Sequence, residues 1–182
     1  MQVEIDSRII NVIMGDIIQE RVDAIVSTAN TRLIAGSGAE SAVQRAGGPR
    51  VQDELKTRYP KGCPTGSAVH TSAGLFPARI MIHAVGPRWN NGEFGEADQL
   101  RDCYMACFKI ASDYESHTIA VPAISVGYFL YPAEEAARIA LQAALDFESP
   151  NGYPKEIRFV LYTKELFTHF TTELSKLVPD AI

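Results

Sequence analysis

The apolar run that ends at Met14 passes straight into Gly15, Asp16 and Ile17, and a second run from Ala24 leads to Asn30, shortly before Gly36, Ser37 and Gly38. A carboxylate and a carboxamide delivered from strand ends, beside a loop with little side-chain bulk, leave backbone N–H groups free to approach a phosphate. The helix expected over 40–56 would turn the positive end of its dipole toward that loop, with Ala39 and Glu40 at its entrance. These parts suit a nucleoside diphosphate. The glycine cluster matches neither the dinucleotide fingerprint nor the P-loop with its lysine and hydroxyl, so taken alone it also reads as a plain turn.

A second candidate loop runs from Pro122 through Ser125, Val126, Gly127, Tyr128 and Phe129 to Pro132. It lies between a predicted strand and a helix beginning near Ala133, and in open α/β sheets ligands sit beyond the carboxyl ends of strands. Ser125 and Gly127 suit close backbone contact with phosphate, and Phe129 suits packing on a ribose or base edge. The same aromatic cluster also fits a plug at the end of the core.

Other chemistry is poorly supported. His70, His83, His117 and His169 are dispersed, without an HxxxH or HExxH pair, and no zinc or other metal site is expected. His83 lies inside the apolar run 80–85 and reads as a core histidine. Three cysteines without CxxC spacing fit a reducing compartment, and Cys103 and Cys107 share a helix face as packing residues. Acidic residues outnumber basic ones 22 to 17 with no basic run, which argues against nucleic acid as a general partner. No apolar stretch reaches the roughly 18 to 20 residues of a membrane span, and Glu4, Asp6 and Arg8 interrupt the N-terminus where a signal peptide would be apolar. A soluble, cytoplasmic protein is expected.

The elements that must hold these residues follow from periodicity. Runs rich in Val and Ile predict strands over 3–14, 24–27, 67–71, 79–85, 118–122 and 157–162, and apolar spacings of three and four predict helices over 40–56, 98–114, 133–147 and 164–177. Their alternation predicts a sheet covered by helices on both faces. The runs 67–71 and 79–85 are joined by a link too short for a crossover helix, so they should pair antiparallel and make the sheet mixed. At 182 residues and 46% hydrophobic, one domain spanning 1–182 is expected.

The motifs in order are Gly15-Asp16-Ile17, Asp23-Ala24-Ile25-Val26 to Asn30, Gly36-Ser37-Gly38, Arg45-Ala46-Gly47-Gly48-Pro49, Cys63-Pro64-Thr65-Gly66, His83-Ala84-Val85-Gly86-Pro87 and Pro122-Ala123-Ile124-Ser125 followed by Gly127. Over nearly its whole length the chain thereby resembles a macro domain, the ADP-ribose-binding module, and most closely the bacterial O-acetyl-ADP-ribose deacetylase and mono-ADP-ribosyl hydrolase branch. The resemblance implies a three-layer α/β/α sandwich with a mixed central sheet, no cofactor, and ADP-ribose, an ADP-ribosylated protein or O-acetyl-ADP-ribose as partner. It gives Asp16 and Ile17 to the adenine, Asn30 to the distal ribose, Gly36, Ser37, Gly38 and Ala39 to the first phosphate loop, and Ser125, Val126, Gly127, Tyr128 and Phe129 to the second. Asn30 and Glu40 become the catalytic candidates. The chain departs from the family pattern at Ser27 and Thr28, where the family has asparagine and alanine, and at Ser37, Ala39, Val126 and Leu130. At Glu40 the family has an aspartate, and one added methylene can displace a carboxylate by roughly 1 Å, enough to cost about 100-fold in rate. A non-catalytic ADP-ribose reader, and less favourably a poly(ADP-ribose) or RNA binder, are the alternatives.

Overall fold

The computed structural model describes residues 1–34 and 40–181, with the side chains of residues 40, 41 and 181 outside that description. Seven strands, β1 (Gln2–Ile5), β2 (Arg8–Met14), β3 (Ala24–Thr28), β4 (Ser67–Ser72), β5 (Ile80–Val85), β6 (Thr118–Val121) and β7 (Glu156–Leu161), form one sheet in the order β1-β2-β7-β6-β3-β5-β4. The five strands from β2 to β5 in that order run parallel, and β1 and β4 pair antiparallel at the two edges. The helices are α1 (Glu40–Gly47), α2 (Pro49–Arg58), α3 (Glu96–Asp113), α4 (Ala133–Asp146) and α5 (Lys164–Leu177).

The central strands have no wet face. Along β3, Ala24 and Val26 join the core shared with α3, α4 and α5, whereas Ile25 joins the core under α1 and α2. Strand β5 alternates in the same way, Ile82 and Ala84 on one side and Met81 and Val85 on the other. Parallel strands buried on both faces read as unbroken apolar runs, which is how these stretches appear in the sequence. The result is the expected α/β/α sandwich with a mixed sheet.

Two boundaries differ from the sequence reading. The single strand expected over 3–14 is a hairpin, because Asp6 and Ser7 both take positive φ (48° and 66°) and make the tight two-residue turn that matches strand twist. The single helix expected over 40–56 is two helices. Gly48, at φ 76°, breaks the first, and Pro49 opens the second at a position where its missing N–H costs nothing.

The exposed edge strand β4 is blunted by side chains. The His70 carbonyl accepts from Arg58 Nη1 at 3.0 Å and from the Tyr59 hydroxyl at 2.9 Å, and the Ser72 N–H donates to Glu54 at 2.8 Å. Groups that would otherwise recruit another strand are thereby occupied.

Between sheet and α1 lies a buried polar chain. Gln52 Nε2 donates to Gln44 Oε1 at 2.8 Å, Gln44 Nε2 lies 3.5 Å from His83 Nδ1, and His83 Nε2 lies 2.9 Å from Thr71 Oγ1. Since the Thr71 hydroxyl gives its proton to the Ser72 carbonyl, it accepts from His83 Nε2–H, and Nδ1 is left to accept from Gln44. His83 is therefore the core histidine the sequence indicated, neutral and fully buried, and burial pushes its pKa from 6.5 down to about 3.

With a folded pKa below the unfolded one, the unfolded chain binds the extra proton between pH 6.5 and 3, so stability falls as pH drops through that window. His83→Gln should flatten this acid limb, whose slope from one proton is at most about 1.4 kcal/mol per pH unit. Urea unfolding at a series of pH values checks it. Parallel limbs in parent and variant would show that His83 does not carry the acid dependence.

Candidate functional site

The carboxyl ends of all five parallel strands open into one cleft of about 640 Å³. Gly15 and Asp16 enter it after β2, Leu161 and Tyr162 from β7, Pro122 to Phe129 after β6, Thr28 and Ala29 from β3, and Ala84 and Gly86 from β5. Asp16 caps a short 3₁₀ turn (Ile17–Gln19) by accepting from the Ile18 N–H at 3.2 Å, so its carboxylate is oriented while remaining exposed. Ile17 and Ile18 supply apolar wall beside it.

The loop after β6 is the most specialised part of the wall. Ser125 and Leu130 take left-handed φ (67° and 59°), and Gly127 sits at 108° with open space where a Cβ would be. Leu130 N–H bonds the Gly127 carbonyl and Tyr131 N–H bonds the Ser125 carbonyl, closing the loop on itself. The N–H groups of Val126, Gly127, Tyr128 and Phe129, which lie between those bonds, donate to no acceptor among the described residues. Consecutive unpaired N–H groups in a turn form an anion-binding concavity. The buried Ser125 hydroxyl likewise lacks a partner among the described residues.

Tyr104, wholly buried on α3, anchors this loop from beneath. Its hydroxyl accepts from Ile124 N–H at 2.9 Å and donates toward the Pro122 carbonyl at 3.3 Å. Burial raises the phenol pKa well above its ordinary value, so the donor proton stays in place. On the rim, the Arg88 guanidinium lies over the Tyr128 ring, 5.6 Å from its centroid.

Asp16, Ile17 and Ser125 through Phe129 are thus brought together in one wall. Asn30 follows Ala29, which lines the cleft, but is not itself among the lining residues, and its amide is engaged in its own turn: Oδ1 accepts from Arg32 and Ile34 N–H, and Nδ2 donates to the Ile34 carbonyl at 2.8 Å. One Nδ2–H remains for a ligand. Gly36, Ser37, Gly38 and Ala39 lie outside the described residues. Glu40 opens α1, and its side chain lies outside the description too. Among the described residues no three His, Cys, Asp or Glu side chains come together as a metal-ligating group.

The sequence reading passed over Tyr162 and Leu166, which line the cleft across from the second loop. Tyr162 follows the last residue of β7 and is 77% exposed. The rule that ligands lie beyond strand ends, applied to that strand as it was to the one before Pro122, would have found it.

Tyr104→Phe strands the buried Ile124 N–H and removes the donor to the half-buried Pro122 carbonyl, and should cost about 1 to 3 kcal/mol of stability. Denaturant unfolding measures it. A loss below about 0.5 kcal/mol, ordinary for a surface change, would remove Tyr104 as the anchor of the loop.

The Macro domain family profile matches residues 26–140. A macro domain-containing protein of Methanosarcina mazei is 43% identical over 178 residues, covering 98% of this chain and 93% of that protein. A protein of Escherichia fergusonii named O-acetyl-ADP-ribose deacetylase is 44% identical over 158 residues, 86% of this chain and 89% of the relative. Among solved structures, an Oceanobacillus iheyensis macrodomain variant with ADPR superposes with a TM-score of 0.91 at 30% identity, covering 99% of each chain. With matches spanning the sheet, both cores and the cleft, this chain belongs to the macro domain family.

Proposed function

We propose that the 182 residues act as a single macro domain that binds ADP-ribose and hydrolyses ADP-ribosyl esters in the cytoplasm, taking O-acetyl-ADP-ribose or protein carboxylates bearing mono-ADP-ribose. The observation that carries this reading is the row of N–H groups from Val126 to Phe129, without acceptors among the described residues and set at the carboxyl edge of the parallel strands. It supports a diphosphate there, with Asp16 at one end accepting from the adenine amino group and Ile17 beside the base. Phe129 packs on the distal ribose, and Asn30 holds the same sugar. The family resemblance assigns Gly36 to Ala39 to the first phosphate loop. The relatives named deacetylase and the neighbours solved with ADPR or ADP-ribose support the same ligand.

In the hydrolysis one water is consumed: the ester bond between the ribose and the acyl group breaks, the acid leaves with one proton, and ADP-ribose is released. Glu40, at the start of α1, orients the water, and Asn30 holds the ribose. No residue of this scheme needs a metal. A reader without turnover is the second reading, favoured by the Asn30 amide, which already spends three hydrogen bonds inside its own turn.

Two variants test the reading. Gly127→Glu places a carboxylate in the open space above the unpaired N–H groups, on a backbone that side chains rarely adopt. Calorimetric binding of ADP-ribose should disappear while the circular dichroism spectrum persists. A folded variant with parental affinity excludes the second loop as the phosphate cradle.

Glu40→Gln should keep most ADP-ribose affinity and slow release of ADP-ribose from a glutamate-modified protein by about 10 to 100-fold, the lower range for loss of a general base. Glu40→Asp restores the family's side chain. A silent parent whose Asp variant turns over identifies a reader with a displaced carboxylate, and equal turnover in all three proteins removes Glu40 from catalysis.

A further inference from the structure

Behind the turn that carries Asn30 lies a second concavity of about 680 Å³, formed where residues 31–34 meet the end of α2 and the loop 59–64. The two segments are stitched by Cys63 N–H to the Thr31 carbonyl at 2.9 Å. Arg32, Lys56 and Lys61 line it, and no carboxylate among the described residues does. None of these three cations enters an ion pair among the described residues, in contrast to the neighbouring Arg50 and Arg58, which hold Glu54. In a chain of net charge −5 this is a local reversal of sign. The carboxyl end of α2 also faces the cavity and disfavours an anion by about 0.3 to 1 kcal/mol, a penalty that three cations outweigh.

The main cleft and this basic cavity meet along one stretch of chain: Thr28 and Ala29 line one, and Thr31 through Ile34 line the other. If the distal ribose lies at Asn30, a polypeptide carried on its acyl group starts beside this turn. We infer that the Arg32, Lys56 and Lys61 cavity is a docking site for acidic side chains flanking the modified residue of an ADP-ribosylated polypeptide. The inference rests on the proposed reading of the cleft. It makes the protein conjugate, rather than O-acetyl-ADP-ribose, the ligand for which the surface is shaped, since an acetyl group carries no charge to pair with the cations and an acidic polypeptide does.

The test compares three probes by calorimetry: free ADP-ribose, a peptide ADP-ribosylated on a central glutamate with acidic neighbours, and the same conjugate with neutral neighbours. The parent should bind the acidic conjugate about tenfold more tightly than the neutral one, the scale of three exposed ion pairs. That preference should shrink as salt is raised. In the triple variant Arg32→Glu, Lys56→Glu, Lys61→Glu the preference should vanish or invert, with free ADP-ribose affinity held within about twofold, as expected for exposed charges outside the cleft. A parent that binds ADP-ribose but ranks the two conjugates equally overturns this inference alone, as does a triple variant that keeps the preference. A parent that fails to bind ADP-ribose overturns the reading of the cleft and the docking site with it. Binding of a short single-stranded RNA that the triple variant loses, with no preference between conjugates, would reassign the cavity to nucleic acid.

Discussion

Five parallel strands with apolar side chains on both faces cannot be left open to water, and the rest of the architecture follows from covering them. Helices α3, α4 and α5 take one face and α1 and α2 the other. The chain leaving β3, β5, β6 and β7 climbs from the carboxyl end of the strand to a helix, so the segments that leave these strands collect along the same edge. Asp16, Thr28, Gly86, Ser125 and Tyr162 come from five different strand ends and are distant in sequence, yet one edge gathers them. The cleft is a consequence of strand direction before it is a matter of particular side chains.

Within that edge the loop after β6 holds a conformation with a local cost. Ser125 and Leu130 are both left-handed without being glycine, at roughly 1 to 2 kcal/mol each. Two internal backbone hydrogen bonds and the Tyr104 hydroxyl offset part of that, and together they over-determine the geometry. With the loop held in this form, the N–H groups of Val126 to Phe129 find no acceptor among the described residues, and the four residues line the cleft. An anion there would satisfy several donors at once, at a site already organised to receive it.

Much of this was legible from the residues. Helix α5 begins and ends where its periodicity placed it, because Thr163 caps it by accepting from Leu166 N–H. His83 was recognisable as a core residue from its apolar neighbours, and the antiparallel pairing of β4 with β5 from the shortness of their link. The break at Gly48-Pro49 was written in the sequence but was overrun by an amphipathic pattern that continues across it in phase. The hairpin at Asp6-Ser7 was missed for a related reason, since the alternation on either side of the turn reads as one strand. Tyr104 was out of reach. In sequence it is one more apolar position on α3, and only the packing of that helix under the sheet edge brings its hydroxyl to Ile124 and Pro122.

The basic cavity shows the same limit from the side of charge. Arg32, Lys56 and Lys61 form no run, and the chain as a whole is acidic, so composition argued against nucleic acid as a general partner and gave no sign of a basic hollow. Net charge averages over the surface, whereas recognition depends on which side chains the fold brings around one hollow. The Asn30 turn ties the two scales together. Its amide holds Arg32 and Ile34 through backbone bonds, and Thr31 through Ile34 line the basic cavity. A ligand that recruits the Asn30 amide and a polypeptide that engages Arg32 would therefore load the same five-residue turn.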